Sequence, residues 1–155
     1  MKAWLFLILF LSVACMRDTS TPEGALKDFV ESRLGHVVTR EFVLDRVTGN
    51  MMQSFKNMSD EDFSKFADMR TIKKESFKVL SKSCQDKKCF MTYSVAYTTD
   101  KNEKKSFNSE VKKIAELNLV EGKWLIADVS NIKTYHESLE AINPLECGFP
   151  AIPSY

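Results

Sequence analysis

Between Phe107 and Ser130 the sequence alternates in a way that leaves few folds open. Phe107, Val111, Ala115, Leu117 and Leu119 fall on one side of a period of two, and Asn108, Glu110, Lys112, Glu116 and Asn118 fall on the other. A strand with one buried face reads this way. Ser109 and Lys113 interrupt the apolar side. Glu121-Gly122 then supplies a tight turn. Beyond it, Lys123–Ser130 is apolar on both faces, with Trp124 and Ile126 on one and Leu125, Ala127 and Val129 on the other. That pattern predicts a central strand, covered on both sides. Phe107, Val111 and Ile114 also fit one face of a helix, but the turn and the strand after it favour a hairpin.

Helices are expected before this hairpin. Thr21-Pro22-Glu23 carries an N-cap, a proline at the first helical position and an acid at the positive end of the dipole. Leu26, Phe29, Val30 and Leu34 follow at helical spacing, and Gly35 ends the run. Thr39–Val47 predicts a second helix with Phe42, Val43 and Val47 inward; Thr48-Gly49-Asn50 breaks it, and Met51–Asn57 adds a turn or two. Ser59-Asp60-Glu61-Asp62 caps a further helix that buries Phe63 and Phe66.

Strands are expected afterwards. Glu75–Cys84 places Phe77 and Val79 on one face and Leu80 and Cys84 on the other, and Cys89–Thr99 alternates Met91, Tyr93, Val95 and Tyr97 with small or polar residues. Thr98–Ser106 reads as a charged connection, and Asn131–Ala141 either extends the last strand or curls into a turn. The fold class is therefore α+β, with N-terminal helices packed on a curved four-stranded antiparallel sheet.

The start of the chain has a different character. Met1-Lys2 is followed by an unbroken apolar run to Leu11 and by small residues up to Ala14, the layout of a signal peptide. The run is well short of the ~20 residues that a membrane-spanning helix needs. Leu11-Ser12-Val13-Ala14-Cys15 resembles the lipobox of bacterial lipoproteins, with Ser12 where that family favours leucine. The resemblance implies cleavage before Cys15, lipidation of its thiol, and anchoring by more than one acyl chain. Met16 in the next position implies sorting to the outer membrane, facing the periplasm or the cell surface. Ser12-x-Ala14 also satisfies ordinary secretory cleavage, which would release a soluble secreted protein. Residues 1–14 thus form the signal peptide, 15–21 the lipidated N-terminus and linker, 22–142 the α+β domain, and 143–155 an irregular tail containing Pro144, Gly148, Pro150 and Pro153.

Two stretches carry a further resemblance. Thr21-Pro22-Glu23-Gly24-Ala25-Leu26-Lys27-Asp28-Phe29-Val30 is similar to the opening helix of small nuclear transport factor 2-like lipoproteins. Gly122-Lys123-Trp124-Leu125-Ile126-Ala127-Asp128-Val129 is similar to their closing strand. The resemblance implies a cone of sheet wrapped on helices, often with a pocket at its open end. It also implies a possible homodimer through the open sheet face. That superfamily holds isomerases and dehydratases beside non-catalytic binding domains, so function has to be argued from the site.

Several residues are candidates for chemistry. Cys84 and Cys89 bracket a four-residue polar turn and are expected to form a disulfide in an exported chain. A zinc site from Cys84, Cys89, Cys147 and His136 has suitable ligand types but matches no common spacing. His36 and His136 read as surface or capping residues. Tyr93, Tyr97 and Trp124 are either core or the lining of a pocket for a small apolar ligand. Asp128, on the face of Trp124 and Ile126, is either a bonded strand residue or the base of an isomerase- or dehydratase-like enzyme. No glycine-rich phosphate loop is present, so no cofactor is expected. With 22 basic against 21 acidic residues, the charge offers nothing to recruit nucleic acid. The expected partners are the membrane, through the lipid, and an envelope protein or small apolar ligand. The expected role is non-enzymatic.

Overall fold

A computed structural model describes residues 19–102 and 105–138. The signal peptide, Cys15, most of the linker, Cys147 and the tail lie outside the described residues. Four helices come first, α1 (Pro22–Glu31), α2 (Arg40–Leu44), α3 (Gly49–Asn57) and α4 (Asp60–Ala67). Four strands follow, β1 (Ile72–Gln85), β2 (Lys88–Asn102), β3 (Lys105–Val120) and β4 (Lys123–Ser138). The sheet is an antiparallel meander in the order β1-β2-β3-β4. This is the expected α+β architecture.

The caps act as their chemistry predicts. Thr21 accepts a hydrogen bond from the Gly24 amide at 3.1 Å, and Ser59 accepts one from the Asp62 amide at 3.1 Å. Gly35, at φ 78°, turns the chain after α1. In the β3–β4 turn Glu121 and Gly122 both have positive φ, 50° and 79°, which suits the right-handed twist of a two-residue hairpin. The hairpin reading of Phe107–Ser130 is correct.

Some boundaries differ from expectation. The second helix stops at Leu44, because Val47 leaves the helical path to form a short parallel bridge with Ile126. Gly49 and Asn50 open α3 instead of breaking the chain there. The strands β2 and β3 run through the charged segment as far as Asn102 and from Lys105, since pairing continues to Asn102 and Lys105. Asn131–Ser138 extends β4.

β4 is an edge strand, not a central one. Its apolar character has another cause. The Ile126 amide donates to the Arg46 carbonyl at 2.9 Å, and the Thr48 amide donates to the Ile126 carbonyl at 2.9 Å. A loop between helices therefore pairs with this edge at Ile126, as a short piece of a fifth strand would.

Two of the register shifts in the sheet bear on the expected faces. On β1, Leu80 is an extra residue between the pairs Val79–Tyr93 and Ser81–Thr92, so Cys84 falls opposite Cys89 on the same face as Phe77 and Val79. On β4, Ala127 is extra between Leu117–Ile126 and Glu116–Asp128. Val129 thereby joins Ile126 over the core, and Asp128 turns to the outer face. The expected sharing of a face by Asp128, Trp124 and Ile126 is overturned by this one inserted residue.

The core lies between the helices and the inner face of the sheet. Leu26, Phe29, Val43, Val47, Phe55 and Phe63 meet Met91, Val95, Ala115, Leu117 and Ile126 there. Phe55, Phe63 and Phe66 join α3 to α4 as a cluster, with centroids 4.6 to 6.5 Å apart. Arg46 and Asp28 form an ion pair at 2.8 Å, with side chains only 13% and 11% exposed, and Arg46 also donates to the Phe42 carbonyl at 3.0 Å. The guanidinium lies 3.7 Å from the Phe42 ring centroid.

Arg46→Met removes the guanidinium from a nearly buried carboxylate and is expected to cost about 3 kcal/mol. Urea unfolding checks this: the midpoint falls while the slope stays constant. The double change Asp28→Leu with Arg46→Met recovers most of the loss.

Candidate functional site

The Cys84–Cys89 disulfide is present, with Cα atoms 4.1 Å apart on directly opposed residues of β1 and β2. Asp86, with φ 51°, makes the turn beyond it. Both sulfurs are committed to this bond, so the zinc alternative loses two of its four ligands. His136 is engaged elsewhere: its Nδ1 lies 2.8 Å from Ser109 Oγ.

The bend of the sheet over the helices leaves a cavity of about 370 Å³, within the range of small-molecule sites. Its walls are Val30 and Phe29 of α1, Met51 of α3 and Phe66 of α4, facing Tyr93, Val95 and Tyr97 of β2, Val111 of β3 and Val129 of β4. Tyr93 and Tyr97, expected as ligand-pocket residues, come together here. Trp124 does not. Paired with Leu119 near the β3–β4 turn, it stands roughly 15 Å along the strand from Val129 at ~3.3 Å per residue. It packs on the far end of the core, beside Ala25 and Arg46. Asp128 is also absent from the lining. It is exposed on the outer face and accepts from Ser130 Oγ at 3.1 Å.

Two cations that the sequence reading passed over line the same cavity. Arg33 follows the end of α1, and Lys113 sits on the inner face of β3. The guanidinium of Arg33 lies 3.9 Å from the Phe66 ring centroid and 5.2 Å from that of Phe29. One of its terminal nitrogens donates to the Phe66 carbonyl over a long 3.5 Å. Its Nε is buried with no hydrogen-bond partner. Burial draws the Arg33 pKa down to about 10, an effect that the neighbouring Tyr93 phenol opposes. Burial and then the repulsion of Arg33 lower Lys113 as well. Burial pushes the Tyr93 phenol up to about 12, so it remains a neutral donor at any physiological pH.

A signal for both cations existed in the sequence. Lys113 is one of the two interruptions in the apolar side of β3. Arg33 falls four residues after Phe29 and seven after Leu26, a position on the apolar stripe of α1. Ser109, the other interruption, is buried, and its bond to His136 satisfies it.

A wider cleft of about 880 Å³ lies near that pair, lined by polar groups including Glu75, Thr98, Asn108, Glu110 and His136. Among the described residues no carboxylate is hydrogen-bonded to His136. The smaller, more apolar cavity is the better site. Comparisons with protein-family models, curated proteins and solved structures find no match to this chain.

Among the described residues Lys113 has no acidic partner in the cavity, and its charge opposes burial in the fold. Lys113→Met is therefore expected to stabilise the empty protein by about 1 kcal/mol, within the range seen when buried charges give way to apolar side chains. Thermal unfolding of the ligand-free protein measures it. For the disulfide, replacing both Cys84 and Cys89 with Ala is expected to cost about 2 kcal/mol, the loop-entropy value for so short a ring. Neither thiol is expected to alkylate until reductant is added.

Proposed function

We propose that this chain is a non-enzymatic envelope lipoprotein that holds a small, largely apolar ligand in the cavity beneath its sheet. The observation that carries the reading is the cavity itself, walled by Val30, Met51, Val95, Val111 and Val129 and by the rings of Phe29, Phe66, Tyr93 and Tyr97. Apolar walls of this kind bind by removing ligand surface from water, at about 25 cal/mol per Å² of apolar area. The element order of helices followed by an antiparallel meander is consistent with the nuclear transport factor 2-like resemblance, in which such cavities recur. The lipobox-like Leu11–Cys15 supports anchoring through Cys15 in the outer membrane, with the domain in the periplasm or at the cell surface. The exposed Asp128 gives no support to the isomerase- or dehydratase-like alternative, in which Asp128 is the base inside the cone.

Both halves of the reading are testable. The intact mass of protein extracted from its native membranes is expected to correspond to a chain starting at Cys15 and carrying acyl chains. A bare Cys15–Tyr155 would replace the anchored protein with a secreted one. The neutral dye N-phenylnaphthylamine is expected to brighten on binding the folded chain, and Val129→Phe, which fills the cavity, is expected to weaken that binding at least tenfold. A dye response absent from the folded protein, or unchanged by Val129→Phe, would overturn the ligand site.

A further inference from the structure

The geometry points to an amphipathic anion as the ligand: a carboxylate head held by Arg33 and Lys113, with its apolar body along Val30, Met51, Val95 and Val129. This rests on the ligand-binding reading above and assigns the chemistry of the head.

The charges in the cavity do not balance. Arg33 and Lys113 both line it, and among the described residues no acidic one does. Among the described residues neither of them forms an ion pair. The other described arginines all do: Arg40 with Asp60 at 2.8 Å, Arg46 with Asp28 at 2.8 Å, and Arg70 with Asp68 at 2.6 Å. Two like charges in a desolvated space repel one another, and each is deprived of water. One anion placed between them would relieve both costs.

Stacking does not account for Arg33 by itself. The rings of Phe66 and Phe29 lie near the guanidinium, an arrangement that engages its π faces. The N–H edge is a separate requirement. A guanidinium has five donors, and among the described residues the only acceptor bonded to it is the distant Phe66 carbonyl, while the buried Nε has none. A buried donor without a protein partner is met by a water, an ion or a ligand. The planar fork of donors suits a carboxylate, which can take two parallel bonds. Lys113 adds a point charge from the opposite wall, and the Tyr93 phenol is a third donor that remains protonated.

The hydrophobic remainder of the site determines the rest of the ligand. Apart from these three groups and Tyr97, every lining side chain is a hydrocarbon, an aromatic ring or a thioether. A small hydrophilic anion such as acetate would satisfy the head and leave the walls uncovered. A straight-chain fatty acid satisfies both.

The test compares decanoate with decanol, which differ only in the head group. Each is titrated calorimetrically, below its aggregation range, into the mature chain Cys15–Tyr155. Decanoate is expected to bind at least tenfold more tightly than decanol. Arg33→Gln and Lys113→Met are each expected to weaken decanoate at least tenfold and to leave decanol within twofold. Lys113→Met is the variant whose fold is secure, and thermal unfolding checks Arg33→Gln. Equal affinity for the two ligands, or equal loss of both in the variants, would overturn the anionic head while leaving an apolar ligand site. Binding of neither ligand, with no displacement of bound N-phenylnaphthylamine, would overturn the fatty-acid assignment. Failure of that dye to bind would remove the site altogether.

Discussion

Ile126 exchanges both of its backbone hydrogen bonds with the loop between α2 and α3, giving its amide hydrogen to Arg46 and receiving that of Thr48. These two bonds fix where the helical layer sits on the sheet. They hold Val47 buried against the edge of β4, and they place Arg46 where it can reach Asp28 on α1. The Arg46–Asp28 pair then sets the position of α1 relative to α2 without depending on apolar packing alone. Since α1 carries Phe29 and Val30 and leads directly into Arg33, the wall of the cavity is located by hydrogen bonds made on the other side of the helix. Removing this connection would leave an apolar edge strand open to association with another chain.

The clamp also explains how a sheet of such long strands keeps one register. A slip of one residue would exchange inner and outer faces along an entire strand. On β3 such a slip would bring Lys112 and Glu116 inward and send Ala115 and Leu117 to solvent. The Glu121-Gly122 turn fixes β4 against β3 at one end. The bonds from Arg46 and Thr48 to Ile126 fix β4 a few residues further along, just before the bulge at Ala127. The Cys84–Cys89 disulfide does the equivalent for β1 against β2.

Much of this was legible in the sequence because it depends on local chemistry. Thr21 and Ser59 announce helix starts, Glu121-Gly122 announces a hairpin, and the alternation in β3 specifies its buried face. The faces that the sequence reading misassigned, it lost at bulges. A period of two carried past Ala127 places Asp128 inside and Val129 outside, the reverse of the structure, and carried past Leu80 it assigns Cys84 to the wrong face. A bulge is a response to bending and to neighbouring strands, so nothing in the five residues around it need declare it. The edge position of β4 was hidden for a similar reason: the segment that pairs with it lies nearly eighty residues earlier in the chain. The site was half visible. Tyr93 and Tyr97 stood out as large residues at strand spacing, whereas Arg33 and Lys113 looked like ordinary surface charge until the fold placed them across one cavity from each other.

That placement separates two uses of a buried cation within a single small core. Arg46 is largely enclosed, with 13% of its side chain exposed, yet it has a carboxylate, a carbonyl and an aromatic face, and it reads as part of the framework. Arg33 has the aromatic faces without the carboxylate, and burial draws its pKa down. A framework charge gains nothing from being left incomplete, because the unmet donor weakens the fold at every moment. A binding charge gains from it, because the free energy withheld from the empty protein is returned when an anion arrives. Lys113 follows the same logic from the opposite wall. In the proposed ligand site, stability forgone at these two positions would be the physical basis for distinguishing an anionic ligand from a neutral one of the same shape, which apolar walls cannot do unaided.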